Sequence, residues 1–467
     1  MKISVAPGDG IGPEIMDVAL AAFEAVKVPL EIERVHMGAS VARAGNATGI
    51  SPEAKNSVES TGILFKGPME TPKGEGFKSV NVTARKLWGT FANKRVYRVL
   101  PGVPNPLGLR ELDLTMVREN IEDTYGAVEH MQTHDVAQCR RFITRPGSLQ
   151  VHRYAFEMAA RKGARRITCA HKANIMKLTD GLFLDTFYEV SRDYPEILAD
   201  DVIVDALAMK LVLEPQSFDV VVLPNFQGDI LTDLAAGLVG GLAYAPSANI
   251  GDGVCIFEAV HGTAPDIAGQ DLANPTALLL SGGMLLRHLG LTSHAEAIDA
   301  ALERTLIQLH AGDGKEPLHT SRFKEVLISE LEAPTAQGTV EIPKHAVREE
   351  PRMMVHPSPD STSLRGVDVF IESGLSPAAV AQRLQAVVPQ LKLTMLSNRG
   401  TQVWPTGSNY TDCVNHYRAR FESANPVDQA PIVGAVGAIG EHFPLCGAEV
   451  LREIDGEPGF SLAQGQA

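Results

Sequence analysis

The segment Pro7-Gly8-Asp9-Gly10-Ile11-Gly12-Pro13 decides the fold, because two different sheets could begin there. It follows an apolar run, Ile3 to Ala6, that reads as a short buried strand. It precedes Ile15, Val18, Ala19, Ala22, Phe23 and Val26, which recur at helical spacing. Leu30 to Val35 resumes an extended pattern, so the opening is βαβ-like. Three glycines in such a turn, with Glu31 or Glu33 downstream, approach a dinucleotide fingerprint. The GxGxxG spacing is absent, however, and Pro13 has no N–H to offer a pyrophosphate at the helix start. The turn is therefore read as structural, near the mouth of a site, and the fold as α/β but not Rossmann.

Outward from this turn, Phe156 to Lys162, Ile175 to Ser191 and Pro275 to Leu289 read as helices. Arg166 to Ala170 and Asp219 to Pro224 read as strands, with a further short one at Val202 to Val204. Periodicity fails over Val347 to Arg365, a proline- and serine-containing connection. Beyond it come a strand from Gly366 to Ile371, a helix from Ala378 to Val388 capped by Ser376-Pro377, and a strand from Leu391 to Leu396. That tail is expected to be a separate small α/β domain.

At 467 residues the chain has room for several domains. Its formal charge of −14 argues against general nucleic-acid binding, which needs a basic footprint. No apolar run reaches membrane-spanning length, and no signal pattern precedes the first strand. Five scattered cysteines, with no CxxC pair, fit a reducing compartment. The expectation is a cytoplasmic protein.

Three clusters carry chemistry. Asp229 and Asp233 stand four apart in a segment that opens as a helix at Gly228, so both side chains share a face. Such a pair supplies hard oxygen ligands for Mg²⁺ or Mn²⁺, with Asp205, after the strand at Val202 to Val204, as a further ligand. Solvated acids at a helix start are the competing reading. The second cluster is basic and polar: Ser79, Asn81, Arg85, Arg95, Arg118 and Tyr125, apt for a polyanion. A solvated Lys/Arg stretch would look the same. Lys172, beyond the strand at Arg166 to Ala170, is either chemical or a surface lysine. The third stretch, His261 to Gly269, is a candidate adenosine site.

Together these segments resemble the isocitrate/isopropylmalate dehydrogenase family, over Met1 to about Glu332. The opening Pro7 to Glu14 is shared across that family. Arg118-Glu119-Asn120-Ile121-Glu122-Asp123-Thr124-Tyr125-Gly126 and Ser79-Val80-Asn81 resemble its isocitrate branch. Leu396 to Trp404 and Asp455 to Phe460 resemble the long bacterial isocitrate dehydrogenases with an extra C-terminal domain.

The resemblance implies a two-domain fold, with a large domain in residues 1–103 and 237–345 and a smaller, dimer-forming domain in 104–236. A linker at 346–365 and the C-terminal domain at 366–467 complete it. It implies NAD-dependent, metal-dependent oxidative decarboxylation of isocitrate to 2-oxoglutarate, as in the tricarboxylic acid cycle, by a homodimer with shared active sites. The C-terminal domain would serve an interface or regulatory role, including further assembly.

By the same resemblance Ser79, Asn81, Arg85, Arg95 and Arg118 bind isocitrate, Tyr125 protonates the enolate, and Lys172 of the other subunit assists. Asn174 lies near substrate and nicotinamide, and Thr71 near the nicotinamide. Asp229 and Asp233 hold the metal, with Asp205 supplied across the dimer. His261, Gly262, Thr263, Ala264 and Asn274 surround adenine. Asp266 and Ile267 stand where NADP-using bacterial relatives carry lysine and tyrosine, so Asp266 is expected to accept from ribose hydroxyls and repel a 2′-phosphate. Competing expectations are another family substrate (isopropylmalate, homoisocitrate or tartrate) and a catalytically silent assembly protein.

Overall fold

The computed structural model describes residues 1–70, 79–311, 318–331, 362–406 and 412–461. They fall into two compact units. The first comprises Met1–Tyr125 and Phe142–Arg352, and the second Gly126–Arg141 and Met353–Ala467.

The first unit is built on one ten-stranded mixed sheet. One half carries the parallel strands Glu31–Arg34, Lys2–Ala6, Ile63–Lys66 and Cys255–Ala259. The other half carries Asp113–Glu119, Val220–Leu223, Arg166–His171 and Leu198–Ile203, also parallel. Between them lie Pro246–Ile250 and Ala92–Arg98, joined antiparallel to each other and to their neighbours. The Val-rich, fully buried strand Val220–Leu223 is what a sheet covered on both faces requires. Helices Gly12–Ala25, Thr276–His288 and Thr292–His310 bury one core against the first half. Arg145–Lys162 and Thr179–Ser191 bury another against the second.

The glycine turn is structural, as expected. A Cβ on Gly8 would meet Pro68 O at 2.2 Å, and one on Gly10 would meet Thr263 O at 2.0 Å. The turn thus packs against the Gly67–Met69 segment and the candidate adenosine stretch. Ile11 N–H donates to Thr263 O at 3.0 Å, and Glu14 accepts from Gly269 N–H.

Several element boundaries differ from expectation. The helix placed at Phe156 to Lys162 begins at Arg145, because Thr144 caps it by accepting from Gly147 N–H at 3.2 Å. The one placed at Ile175 begins at Thr179, the preceding residues forming turns back onto Lys172 O. The strand expected at Val202 to Val204 is Leu198–Ile203, so Asp205 lies in the first turn of helix Val204–Leu213 rather than at a strand end. The metal-candidate helix starts at Asn225, ahead of Gly228.

The second unit contains a six-stranded antiparallel sheet. Helices Pro377–Val387 and Gln429–Gly440 pack on it through Val380, Leu384, Ile432 and Ile439. Its first strand, Thr362–Glu372, begins inside the stretch read as linker. Ser376 occupies the cap position of the first helix without a side-chain cap bond. The hairpin segment Gly126–Arg141 belongs to this unit, through Cys446 Sγ to Gln132 O at 3.1 Å, Thr133 Oγ1 to Asn415 Oδ1 at 3.0 Å and Arg140 to Glu449 at 3.0 Å. Among the described residues no helix is long and apolar enough to cross a membrane.

Candidate active site

Arg118, near the end of strand Asp113–Glu119, is buried and runs beneath helix Asn225–Leu238. Gly228 permits this passage: a Cβ there would sit 2.7 Å from Arg118 Cγ. Asn225 Oδ1 accepts from Arg118 Nε at 2.9 Å and from Nη2 at 2.7 Å, which aims Nη1 at the Asp229 carboxylate. Tyr125 Oη donates to the other Asp229 oxygen at 2.7 Å, and its ring centre lies 4.7 Å from the Arg118 guanidinium. Asp233, one turn on, accepts from Arg95 Nη1 at 3.0 Å. Arg95 is itself held by Thr232 Oγ1 at 2.7 Å and Asn93 Oδ1 at 2.8 Å. The two acids do share a helix face, and each is met by a buried arginine.

The electrostatics follow from this packing. Burial pushes the Asp229 carboxyl up, but the Arg118 charge and the Tyr125 hydroxyl outweigh it and hold it below its ordinary value. Burial and then the Asp229 carboxylate push the Tyr125 phenol up, so it stays protonated at neutral pH. Burial, then the Arg85 charge, pushes Arg118 down.

Asn81, Arg85 and Arg95 line a cavity of about 80 Å³ together with Glu258, His261 and Gly262. Asn81 and Arg85 lie one turn apart on helix Val80–Leu87, so both face it. Asn81 Oδ1, Arg85 Nε and His261 Nε2 are buried without a hydrogen-bond partner among the described residues. Such orphans each cost about 1–3 kcal/mol when left unmet, and they mark where a polar ligand would bind. Ser79 does not line this cavity. It caps the helix by accepting from Val82 N–H at 3.4 Å.

Lys172 and Asn174 follow strand Arg166–His171 and are not brought to Tyr125 within one chain. Lys172 Nζ pairs instead with Asp205, whose carboxyl is lowered by that bond. Asn174 is exposed in the adjoining turn.

On the His261–Gly269 loop, burial lowers His261, whose Nδ1 lies 3.0 Å from Gly262 O. Asp266 is exposed, and its carboxylate has no partner among the described residues. Ala264 and Ile267, both partly buried, pack against the hydrophobic core. Asn274 Oδ1 accepts from Thr276 N–H at 3.0 Å and Oγ1 at 2.7 Å, which engages this oxygen in starting the next helix. Thr71 lies outside the described residues.

Sequence reading missed the supports. Glu258 and Lys66 form a buried pair beneath Arg85, which stands 3.6 Å from Glu258. Burial pushes Glu258 up, but Lys66 and Arg85 reverse this and hold it at about 2. A glutamate inside the otherwise apolar strand Cys255–Ala259 was the available signal. Asp123, at φ 67°, accepts from Phe226 N–H at 3.0 Å and so fastens the Asp229 helix to the Arg118–Gly126 motif.

Asp229 and Asp233 fit a hard divalent cation as part of a site, offering two carboxylates on one helix face. Among the described residues no group of three acids, histidines or cysteines is assembled within the chain, and Asp205 is turned to Lys172. The orphaned His261 nitrogen and the unpaired Asp266 fit the polar groups of an adenosine.

The isocitrate/isopropylmalate dehydrogenase family model matches residues 2–323, and that of the bacterial isocitrate dehydrogenase C-terminal domain matches residues 362–466. An isocitrate dehydrogenase [NADP] of Thermus thermophilus is 44% identical over 99% of this chain and 96% of its own length. A mitochondrial isocitrate dehydrogenase [NAD] catalytic subunit of Arabidopsis thaliana is 46% identical over 65% of this chain and 80% of its own. A crystal structure of a Thermus thermophilus protein superposes with a TM-score of 0.90 at 43% identity, covering 100% of this chain and 96% of that one.

Proposed function

The chain belongs to the isocitrate/isopropylmalate dehydrogenase family, and on that premise we propose that it oxidatively decarboxylates isocitrate to 2-oxoglutarate with NAD and Mg²⁺ or Mn²⁺. The observation that carries this reading is the cavity in which Asn81, Arg85 and Arg95 meet His261 and Gly262, with three buried polar atoms unmet among the described residues. It puts polyanion donors beside the candidate adenosine loop.

In this reading Arg85, Arg95 and Arg118 grip the substrate carboxylates, and Ser79 and Asn81 read the third of them. Asp229 and Asp233, with the partner subunit's Asp205, would hold the cation, which would supply positive charge to acidify the substrate hydroxyl, so that its proton is lost to solvent as the nicotinamide takes the hydride. Tyr125 keeps its proton through its raised pKa and delivers it from Oη to the carbon vacated by carbon dioxide. Lys172 of the partner subunit assists that transfer. Support for a dimer comes from Met209, Leu213, Phe226 and Ile230, exposed apolar side chains on helices Val204–Leu213 and Asn225–Leu238.

NAD is proposed over NADP although the Thermus thermophilus relative, similar over nearly the whole chain, is named for NADP. The support is Asp266: exposed and unpaired among the described residues, it can accept from ribose hydroxyls and repels a 2′-phosphate. A matrix of isocitrate and isopropylmalate against NAD and NADP, with and without manganese, tests each part. Turnover with isocitrate, NAD and metal is expected to dominate. Faster turnover of isopropylmalate overturns the substrate, and a higher kcat/KM with NADP overturns the cofactor.

A further inference from the structure

Strand Ala92–Arg98 alternates its side chains between two faces. Asn93, Arg95 and Tyr97 share one face; Arg95 and Tyr97 bond to the helix carrying Asp229 and Asp233, and Asn93 to Asn249 on the neighbouring strand. Lys94, Val96 and Arg98 turn the other way and line a second cavity, of about 140 Å³. Arg287, from helix Thr276–His288, lines it too.

Charge in this cavity is unbalanced. Asp299 Oδ2 accepts from Arg287 at 2.6 Å, while its Oδ1 is buried without a hydrogen-bond partner among the described residues. Asp113 is taken by Lys162 at 2.8 Å and lies 3.6 Å from Arg98. Glu303, exposed to solvent, stands at the rim. The Lys94 ammonium has no hydrogen bond or ion pair among the described residues. The remaining wall is apolar, formed by Leu280, Met284 and Leu302. A cation over an apolar pocket is the complement of a carboxylate carrying a short alkyl chain.

We propose that this cavity is a binding site for short-chain carboxylates, with Lys94, Arg98 and Arg287 meeting the carboxylate and Leu280, Met284 and Leu302 the alkyl chain. Nothing in it depends on the isocitrate reading, because none of these groups belongs to the cluster around Asp229. Burial, and then the charges of Lys162, Arg161, Arg98 and Arg287, lower the Lys94 ammonium to about 8. A bound carboxylate reverses that repulsion, so binding near pH 8 should take up part of a proton. The groups facing Lys94 that could mask this are Asp113, Asp299, Glu303 and Tyr244. Of these, burial pushes the Tyr244 phenol further up, so it stays neutral at that pH.

Butyrate is the probe, titrated calorimetrically into the full-length protein at pH 8 in two buffers of different ionisation enthalpy. The expected result is saturable binding with proton uptake, weakened about tenfold or more in Lys94→Met. In the wild-type protein, butyrate should also shield Lys94 from acetic anhydride, read by peptide mass spectrometry. Unchanged affinity in Lys94→Met overturns the proposal, as does equal Lys94 labelling with and without butyrate. Inorganic phosphate binding as tightly as butyrate would overturn the carboxylate class, since the apolar wall would then contribute nothing.

Discussion

Asp229 and Asp266 are the same residue type in opposite surroundings. Asp229 is half-buried, accepts from Arg118 and Tyr125, and is held ionised by the charge beside it. Asp266 sits on an exposed loop with no partner among the described residues. The contrast teaches that a carboxylate's role follows from which donors reach it. The first is built into a preorganised charge network, where any change disturbs several partners. The second is a free acceptor, where a change alters only what binds.

The largest expected effect breaks the first region. Asp229→Asn should lower kcat on the order of 10²-fold or more while leaving the NAD dissociation constant nearly unchanged. Turnover across a manganese titration, with NAD binding followed by fluorescence, checks it. Wild-type turnover at any manganese concentration would remove Asp229 from the chemistry.

Asp266→Lys tests the second region. It should shift the ratio of NADP to NAD kcat/KM toward NADP by on the order of 10²-fold, with kcat for the better cofactor retained. Adding Ile267→Tyr should lower the melting temperature, because Ile267 packs against the core. A cofactor ratio unchanged by both substitutions would end the assignment of this loop.

Replacing Ser79 and Asn81 with Leu should reduce isocitrate kcat/KM by on the order of 10-fold or more, and isopropylmalate kcat/KM much less. Equal losses would mean that these residues hold the helix rather than read a carboxylate.

The smallest effect is on stability and sharpens what burial does to a carboxylate beside Arg118. Glu119, next to Arg118, is pushed up to about 7 by burial and then by Glu122. The native state therefore holds a proton that the unfolded chain releases near 4.5. The stabilisation is complete below that value and is lost as pH rises through 7. Glu119→Gln should remove this decline, worth up to about 3 kcal/mol between pH 5 and 8. Denaturant titrations across that range measure it, and parallel pH profiles for variant and wild type would refute it.

Much was legible in the chain itself. The missing GxGxxG spacing and Pro13 excluded a Rossmann turn, and helical periodicity located the opening helix that is observed as Gly12–Ala25. The i, i+4 spacing of Asp229 and Asp233 put both on one face. These are local properties, set by backbone stereochemistry and residue spacing. What paired with those side chains was not legible. That Asn225 steers Arg118, that Glu258 and Lys66 lie beneath Arg85, and that residues 126–141 pack into a unit formed hundreds of positions later are consequences of long-range packing. So are the isolation of Lys94 on the reverse of the Arg95 strand and the turning of Asp205 to Lys172. A sequence determines which faces are apolar and which groups can ionise. Only the closed tertiary structure decides which charges meet, because burial and partner geometry set the energy of each.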